Sequence, residues 1–243
     1  MSGVLVLAGS GEFTPAMNEI DRELLATLRP RARVAIVPTA AGLEDTPDAW
    51  IAKGIAHFRA LGAEPVGVRV LNKEDARDPR WREAVADIDW AYFSGGNPGH
   101  LVETLQGSPF WSAVMDRHRA GAILAGSSAG AMMLGESTFV PLERGPDGLP
   151  TRAVVRPALG LVKGVIVAPH FDILPDRLLR GWSDLMPPGH RLLGIDEDTA
   201  LLRRDGGWEV RGRGRVLVFK SPDDRVVFAD RAVVDPRLLA ALP

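Results

Sequence analysis

Short apolar runs alternate with longer amphipathic segments along the first half of the chain. GVLVLAG (3–9) is an apolar run closed by glycine, as expected of a strand buried on both faces. TPAMNEIDRELLATLRP follows, with Thr14 placed as an N-cap and Pro15 at the first helical position. Ile20, Leu24 and Leu28 recur at i, i+4 and i+8 and share one helical face. The alternation then repeats. ARVAIVPT (32–39) predicts a strand, TPDAWIAKGIAHFRALG (46–62) a helix, PVGVRVL (65–71) a strand and PRWREAVADI (79–88) a helix. DWAYFSGG (89–96) is a strand ending in two glycines, GHLVETLQ and FWSAVMDRHRAG are helical, and AILAGSS (122–128) is another strand. Strands alternating with helices imply βαβ units. The predicted fold is a three-layer α/β fold, a mostly parallel sheet with helices on both faces.

The rhythm changes after about residue 137. ERGPDGLPTR (143–152) reads as loop. KGVIVAPHF (163–171) predicts a strand ending at His170, and PDRLLRGWSDLM a helix. From 191 to 230 short strands dominate: RLLGIDED, TALLRR, GWEVRG, RVLVFK and RVVFAD. The Asp-Gly and Gly-Gly turns between them predict hairpins, which would extend the sheet with antiparallel C-terminal strands. No linker is long or polar enough to demand a second domain, so residues 1–243 read as a single α/β domain.

Composition narrows the function classes. Hydrophobic residues make up 46% of the chain and charged residues 25%, the profile of a soluble globular protein. Cysteine is absent, which excludes disulfides, thiolate zinc sites and cysteine nucleophiles. The net charge of −2, with acids and bases interspersed, argues against a nucleic-acid partner. No apolar stretch approaches the roughly 18 residues of a membrane span. MSGVLVLAGSG lacks a basic start and reads as a first strand rather than a signal peptide. A cytoplasmic location without membrane partners is the expectation.

Ligands of open α/β sheets collect outside the carboxyl ends of the strands, here GSGEFTP, FSGGNPG, GSSAGA and APHFD. Gly126-Ser127-Ser128-Ala129-Gly130 fits G-x-S-x-G with Ser128 at its centre, between a strand and a helix, the context of a nucleophile elbow. The Ala129 amide could then face a developing oxyanion. Ser127 reads as the small residue that lets the turn form. A close-packed turn without chemistry fits the same letters, so partners decide. His170 alone among five histidines closes an apolar strand, and it is the candidate base. Asp172, Glu197 and Glu143 are the acids that could orient it. Gly95 or Gly96 could supply a second oxyanion amide. GSGEFTP fails as a dinucleotide fingerprint, because Thr14 stands where the third glycine belongs and no acid closes the second strand. His170 and Asp172 are the one tempting metal pair, and no further ligands cluster near them, so neither metal nor cofactor is expected.

FSGGNP, GSSAGA, APHF and GIDEDTA occur in the order and rough spacing of the cyanophycinase/dipeptidase E serine peptidases, which this chain resembles over roughly residues 3–205. The resemblance implies a class I glutamine amidotransferase-like fold, with Ser128 as nucleophile, His170 as base and Glu197 as third member. The wider amidotransferase class places the acid two residues after the histidine, at Asp172, and the dipeptidase branch has been read with an acid soon after the elbow, at Glu143. The oxyanion amides would be those of Gly96 and Ala129. Where cyanophycinases carry an acidic residue and glutamine before the histidine, this chain has Ala168 and Pro169, and Pro98 replaces a glutamine after the glycine pair. These departures point away from cyanophycin and toward small peptides, including those with aspartate. Asn97 and Arg177 are candidate substrate contacts. A non-peptidase amidase or esterase, or a non-catalytic binding protein of the same fold, would share these residues. The family includes monomers and homodimers.

Overall fold

The computed structural model describes residues 3–146, 150–221 and 223–239, with the backbone alone at 144, 176, 177, 180 and 183. The strands are β1 (Leu5–Ala8), β2 (Arg33–Val37), β3 (Glu64–Gly67), β4 (Trp90–Phe93), β5 (Ile123–Ser127), β6 (Gly135–Arg144), β7 (Pro150–Pro157), β8 (Val162–Ala168), β9 (Arg191–Ile195), β10 (Thr199–Arg204), β11 (Gly207–Gly212), β12 (Val216–Ser221), β13 (Asp224–Phe228) and β14 (Val233–Val234). The helices are α1 (Asn18–Leu25), α2 (Pro47–Ala60), α3 (Pro79–Ala84), α4 (Pro98–Leu105), α5 (Pro109–Arg119), α6 (Ala129–Met132), α7 (Asp176–Leu185) and α8 (Pro236–Leu239).

Two sheets form. The first is ordered β14-β11-β10-β1-β5-β4-β2-β3, with β1, β5, β4, β2 and β3 parallel and β10, β11 and β14 antiparallel. The second is ordered β13-β12-β9-β8-β6-β7, with a parallel centre of β9, β8 and β6. The expected antiparallel extension is therefore divided. β10, β11 and β14 lengthen the first sheet, while β9, β12 and β13 join a separate one.

Strand alternation explains the layering. Leu5 and Leu7 of β1, Ala91 and Phe93 of β4 and Leu124 of β5 face one core. That core is shared with Val165, Val167, Leu193 and Ile195 of the second sheet and with Leu101, Phe110 and Val114 of α4 and α5. The intervening residues, Val6, Ala8, Trp90, Tyr92, Ile123 and Ala125, face the opposite side and meet Ile20 and Leu24 of α1 and Phe58 of α2. The outer face of the second sheet carries Ile166, Leu192 and Leu217, covered by Trp182 of α7 and by Phe171.

The stretch 143–152, expected as loop, is partly strand. Glu143 and Arg144 end β6, and Pro150 to Arg152 begin β7, which pairs back on β6. Residues 147–149 lie outside the described residues. β7 is an edge strand, largely exposed or half-buried, so its sequence carries no core-facing alternation, and the β6–β7 register shifts at Pro141 and Glu143. Among the described residues, no helix is long and apolar enough to cross a membrane.

Candidate active site

The first sheet's register brings three strand ends level. Ala8 pairs with Ser127, and Phe93 pairs with Gly126, so the residues after β1, β4 and β5 emerge side by side. Ser128 is the first residue beyond β5. It holds φ 52° and ψ −116°, a region that costs a non-glycine residue about 1–3 kcal/mol. The surroundings hold it there. The Ser128 N–H donates to the Ala8 carbonyl at 3.0 Å, and the Ser128 carbonyl accepts the N–H of Ala131 at 2.9 Å. The flanking glycines are sterically required. A Cβ on Gly126 would lie 2.0 Å from the Gly130 carbonyl oxygen, and one on Gly130 would lie 2.3 Å from that of Phe93. The strand therefore turns straight into α6, with the Ser128 side chain at the apex.

His170 and Glu197 come from the other sheet. His170 follows β8 and adopts the left-handed conformation at φ 53°. Glu197 sits in the 196–198 connection, where the chain leaves β9 of the second sheet to enter β10 of the first. This connection is firmly held. Asp196 accepts both the backbone N–H and the Nε of Arg215 at 2.9 Å, and the Asp198 carbonyl accepts the Arg213 N–H at 3.0 Å. A Cβ on Gly9 would lie 2.1 Å from the Asp196 carbonyl oxygen, so β1 passes tightly beneath it.

The three side chains form one hydrogen-bonded line. Ser128 Oγ lies 2.9 Å from His170 Nε2, and His170 Nδ1 lies 2.7 Å from Glu197 Oε1. A carboxylate only accepts, so Nδ1 carries the ring proton and Nε2 is left to accept from the serine hydroxyl. The His170 and Glu197 side chains are 35% and 41% exposed, so the line is open to a ligand from one side.

The remaining candidates fall elsewhere. Asp172 does not meet the imidazole; its Oδ1 accepts the backbone N–H of Glu197 at 2.9 Å. Glu143 is exposed on β6 and pairs with Arg152 at 3.2 Å. Asn97 caps α4, its Oδ1 accepting the His100 N–H at 3.0 Å. Arg177 lies on α7, with its side chain outside the described residues. The other histidines have their own partners: His57 with Asp21, His100 with the Leu71 carbonyl, His118 with that of Ala122, and His190 with Ser137. Among the described residues, no group of three or more metal-ligating side chains converges.

The two glycines after β4 differ. The Gly95 N–H donates to Glu12 Oε1 at 2.9 Å. Gly96 holds φ 139°, and a Cβ there would lie 2.4 Å from the Ala40 carbonyl oxygen. Among the described residues, no intramolecular acceptor takes the Gly96 amide or that of Ala129, the first residue of α6.

In the sequence Glu12 belongs to GSGEFTP, the stretch that fails as a nucleotide fingerprint. It is 7% exposed, and its second oxygen accepts the Ser127 hydroxyl at 2.6 Å. Ser127 is thus more than a small turn residue. The available signal was an acid just past the end of β1, the strand that pairs with β5, after which Ser128 follows.

The pattern of Peptidase family S51 matches residues 4–211. The chain belongs to peptidase family S51. Two cyanophycinases are similar to it. That of Trichormus variabilis is 31% identical over 228 residues, covering 89% of this chain and 73% of that protein. That of Geminocystis herdmanii is 30% identical over 223 residues, covering 89% of this chain and 80% of that protein. The crystal structure of a peptidase from an acI-B1 Actinobacterium superposes with a TM-score of 0.81 at 33% identity, over 96% of this chain and 97% of that one. A putative peptidase E protein from Listeria monocytogenes shares the fold, with a TM-score of 0.64 at 16% identity, over 88% of this chain and all of that one. As an S51 member, this chain is a peptidase-type hydrolase whose three hydrogen-bonded side chains lie where its two sheets meet.

Proposed function

We propose that this chain is a serine peptidase that cuts an amide bond in a small peptide, with Ser128 as nucleophile, His170 as general base and acid, and Glu197 as the group that orients the imidazole. The observation that carries this reading is the continuous line from Ser128 Oγ through His170 to Glu197 at 2.9 Å and 2.7 Å, on a strained turn that holds the serine at its apex.

Ser128 Oγ attacks the substrate carbonyl as its proton passes to His170 Nε2. Glu197 keeps Nδ1 protonated and stabilises the imidazolium that forms. The amides of Gly96 and Ala129 receive the negative charge on the former carbonyl oxygen. His170 then returns its proton to the leaving amine, which departs and leaves an ester on Ser128. Water, deprotonated by His170, cleaves that ester and restores the serine.

Two similar proteins are cyanophycinases. Ala168, Pro169 and Pro98 stand in this chain where the cyanophycinase pattern has polar or acidic side chains. Short peptides are the substrate class this favours, with aspartate-containing dipeptides first. A fluorophosphonate probe tests the chemistry. A single adduct on Ser128 is expected in the wild type and none in Ser128→Ala. An adduct at another serine contradicts the assignment.

A further inference from the structure

The carboxylate of Glu12 joins two loops that the proposed reaction uses together. Oε1 accepts the N–H of Gly95, next to the proposed oxyanion donor Gly96. Oε2 accepts the hydroxyl of Ser127, next to Ser128. Both bonds are buried, and among the described residues no lysine, arginine or histidine pairs with Glu12. A carboxylate without a cation is expensive to bury, so these two hydrogen bonds are what hold it. The chemistry of the two donors explains why it is an acid. Both need an acceptor, and a carboxylate offers two acceptor oxygens, whereas an amide would turn an NH2 toward one of them.

The approach to Glu12 is built for this purpose. Gly11 and Phe13, on either side of it, both have positive φ, 81° and 62°. The Phe13 ring is anchored among Tyr92, Phe58, His57 and Trp50, which holds the strained turn and directs Glu12 the other way. Tyr92, on the neighbouring strand, has its hydroxyl held protonated by burial and by the Asp21 and Glu12 carboxylates. Glu12 also lies close to the reacting group, because a Cβ on Gly95 would be 3.2 Å from its Oε1 and 3.3 Å from Ser128 Cβ.

We propose that Glu12 is a positioning residue that sets the oxyanion hole. By taking the Gly95 N–H inward, it fixes the Ser94–Gly95 peptide, next to the one that carries the Gly96 N–H, and leaves the Gly96 N–H to face the substrate. By taking the Ser127 hydroxyl, it ties that loop to the elbow that carries the Ala129 N–H. One carboxylate thus fixes the spacing of the two donors. This rests on the serine peptidase reading above.

The test is the rate at which a small fluorophosphonate, whose phosphoryl oxygen takes the place of the carbonyl oxygen, modifies Ser128. Wild type, Glu12→Gln, Glu12→Ala, Ser127→Ala and Ser128→Ala are compared, with the maximal rate and half-saturating concentration measured separately and thermal midpoints alongside. Loss of one oxyanion donor slows such chemistry by about 10²–10³-fold, so Glu12→Ala should slow the maximal rate by about that much, and Glu12→Gln, which keeps one acceptor, by about tenfold. Half-saturation should move less than about threefold, because the donors act on charge that develops only in the transition state. A purely structural role would lower the thermal midpoint and leave the maximal rate of the folded fraction unchanged. Should Glu12→Ala fail to fold, Glu12→Gln and Ser127→Ala carry the test. A maximal rate within twofold of wild type in the folded variants would overturn the proposal while leaving the serine mechanism standing. A wild type that is not modified at Ser128 would remove the mechanism and this inference with it.

Discussion

Asp172 holds Glu197 by its backbone, accepting the Glu197 N–H at 2.9 Å, while the Glu197 carboxylate reaches His170 at 2.7 Å. Two of the three acids that compete in the sequence for one place therefore stand in series, one behind the other. Their variants should separate. Glu197→Gln should lower kcat by about 10²–10⁴-fold, because it removes the negative charge that stabilises the imidazolium and lets an amide NH2 face Nδ1, which favours the wrong tautomer. Asp172→Ala should cost only about tenfold, through a less firmly held Glu197, and Asp172→Asn, which keeps an acceptor, less than about threefold. Kinetics in which Asp172→Asn falls as far as Glu197→Gln would reverse the order of the two acids.

The elbow leaves no room for a methyl group at its glycines. Gly130→Ala would force a Cβ to within 2.3 Å of the Phe93 carbonyl oxygen, and Gly126→Ala to within 2.0 Å of that of Gly130. Backbone is the obstacle in both, so the turn must open. Overpacking of this kind costs about 1–3 kcal/mol or more. For a domain of this size that corresponds to a thermal midpoint lower by about 2–12 °C, readable by calorimetry. Opening the turn also displaces Ser128 from His170, so labelling by a fluorophosphonate should fall far more than stability does. Normal labelling in a folded Gly130→Ala would show that the turn is not under this constraint.

Stability should carry a pH signature from a buried pair away from the serine. Asp21 and His57 lie 2.7 Å apart with side chains 2% and 6% exposed. Burial raises the Asp21 carboxyl above the ordinary value of 3.8, a rise that the bond and charge of His57 only partly offset. The native state then binds this proton more tightly than the unfolded chain. The contribution is fully present below the unfolded value and is lost as pH rises through the native one. The stability of wild type relative to Asp21→Asn should therefore be greater at about pH 4 than at about pH 7, measured as the urea midpoint of each. A difference that stays flat or shrinks toward acid would contradict the burial argument.

The parallel half of the fold was legible because its strands are buried on both faces and its helices carry one apolar stripe, as in GVLVLAG and the Ile20 and Leu24 face of α1. The second half was legible as strands but not as two sheets. Nothing in TALLRR or RVLVFK says which sheet it joins; the crossing at 196–198 decides that through tertiary contacts. The β6–β7 pair was missed because an edge strand with prolines at 150 and 157 has neither a buried face nor a clean period. At the site, Ser128 and His170 were readable as residues at strand ends, whereas which of Asp172, Glu197 and Glu143 meets the imidazole is a three-dimensional detail. Glu12 was hidden because its meaning lies in two donors 83 and 115 residues away.

The central claim is that Ser128 attacks the scissile amide. The most direct measurement is hydrolysis of a dipeptide library, aspartate-containing members included, by wild type and Ser128→Ala side by side. The wild type is expected to turn over at least one dipeptide, and Ser128→Ala to lose at least about a thousandfold in kcat with the fold intact. Equal hydrolysis of that dipeptide by both proteins would contradict it.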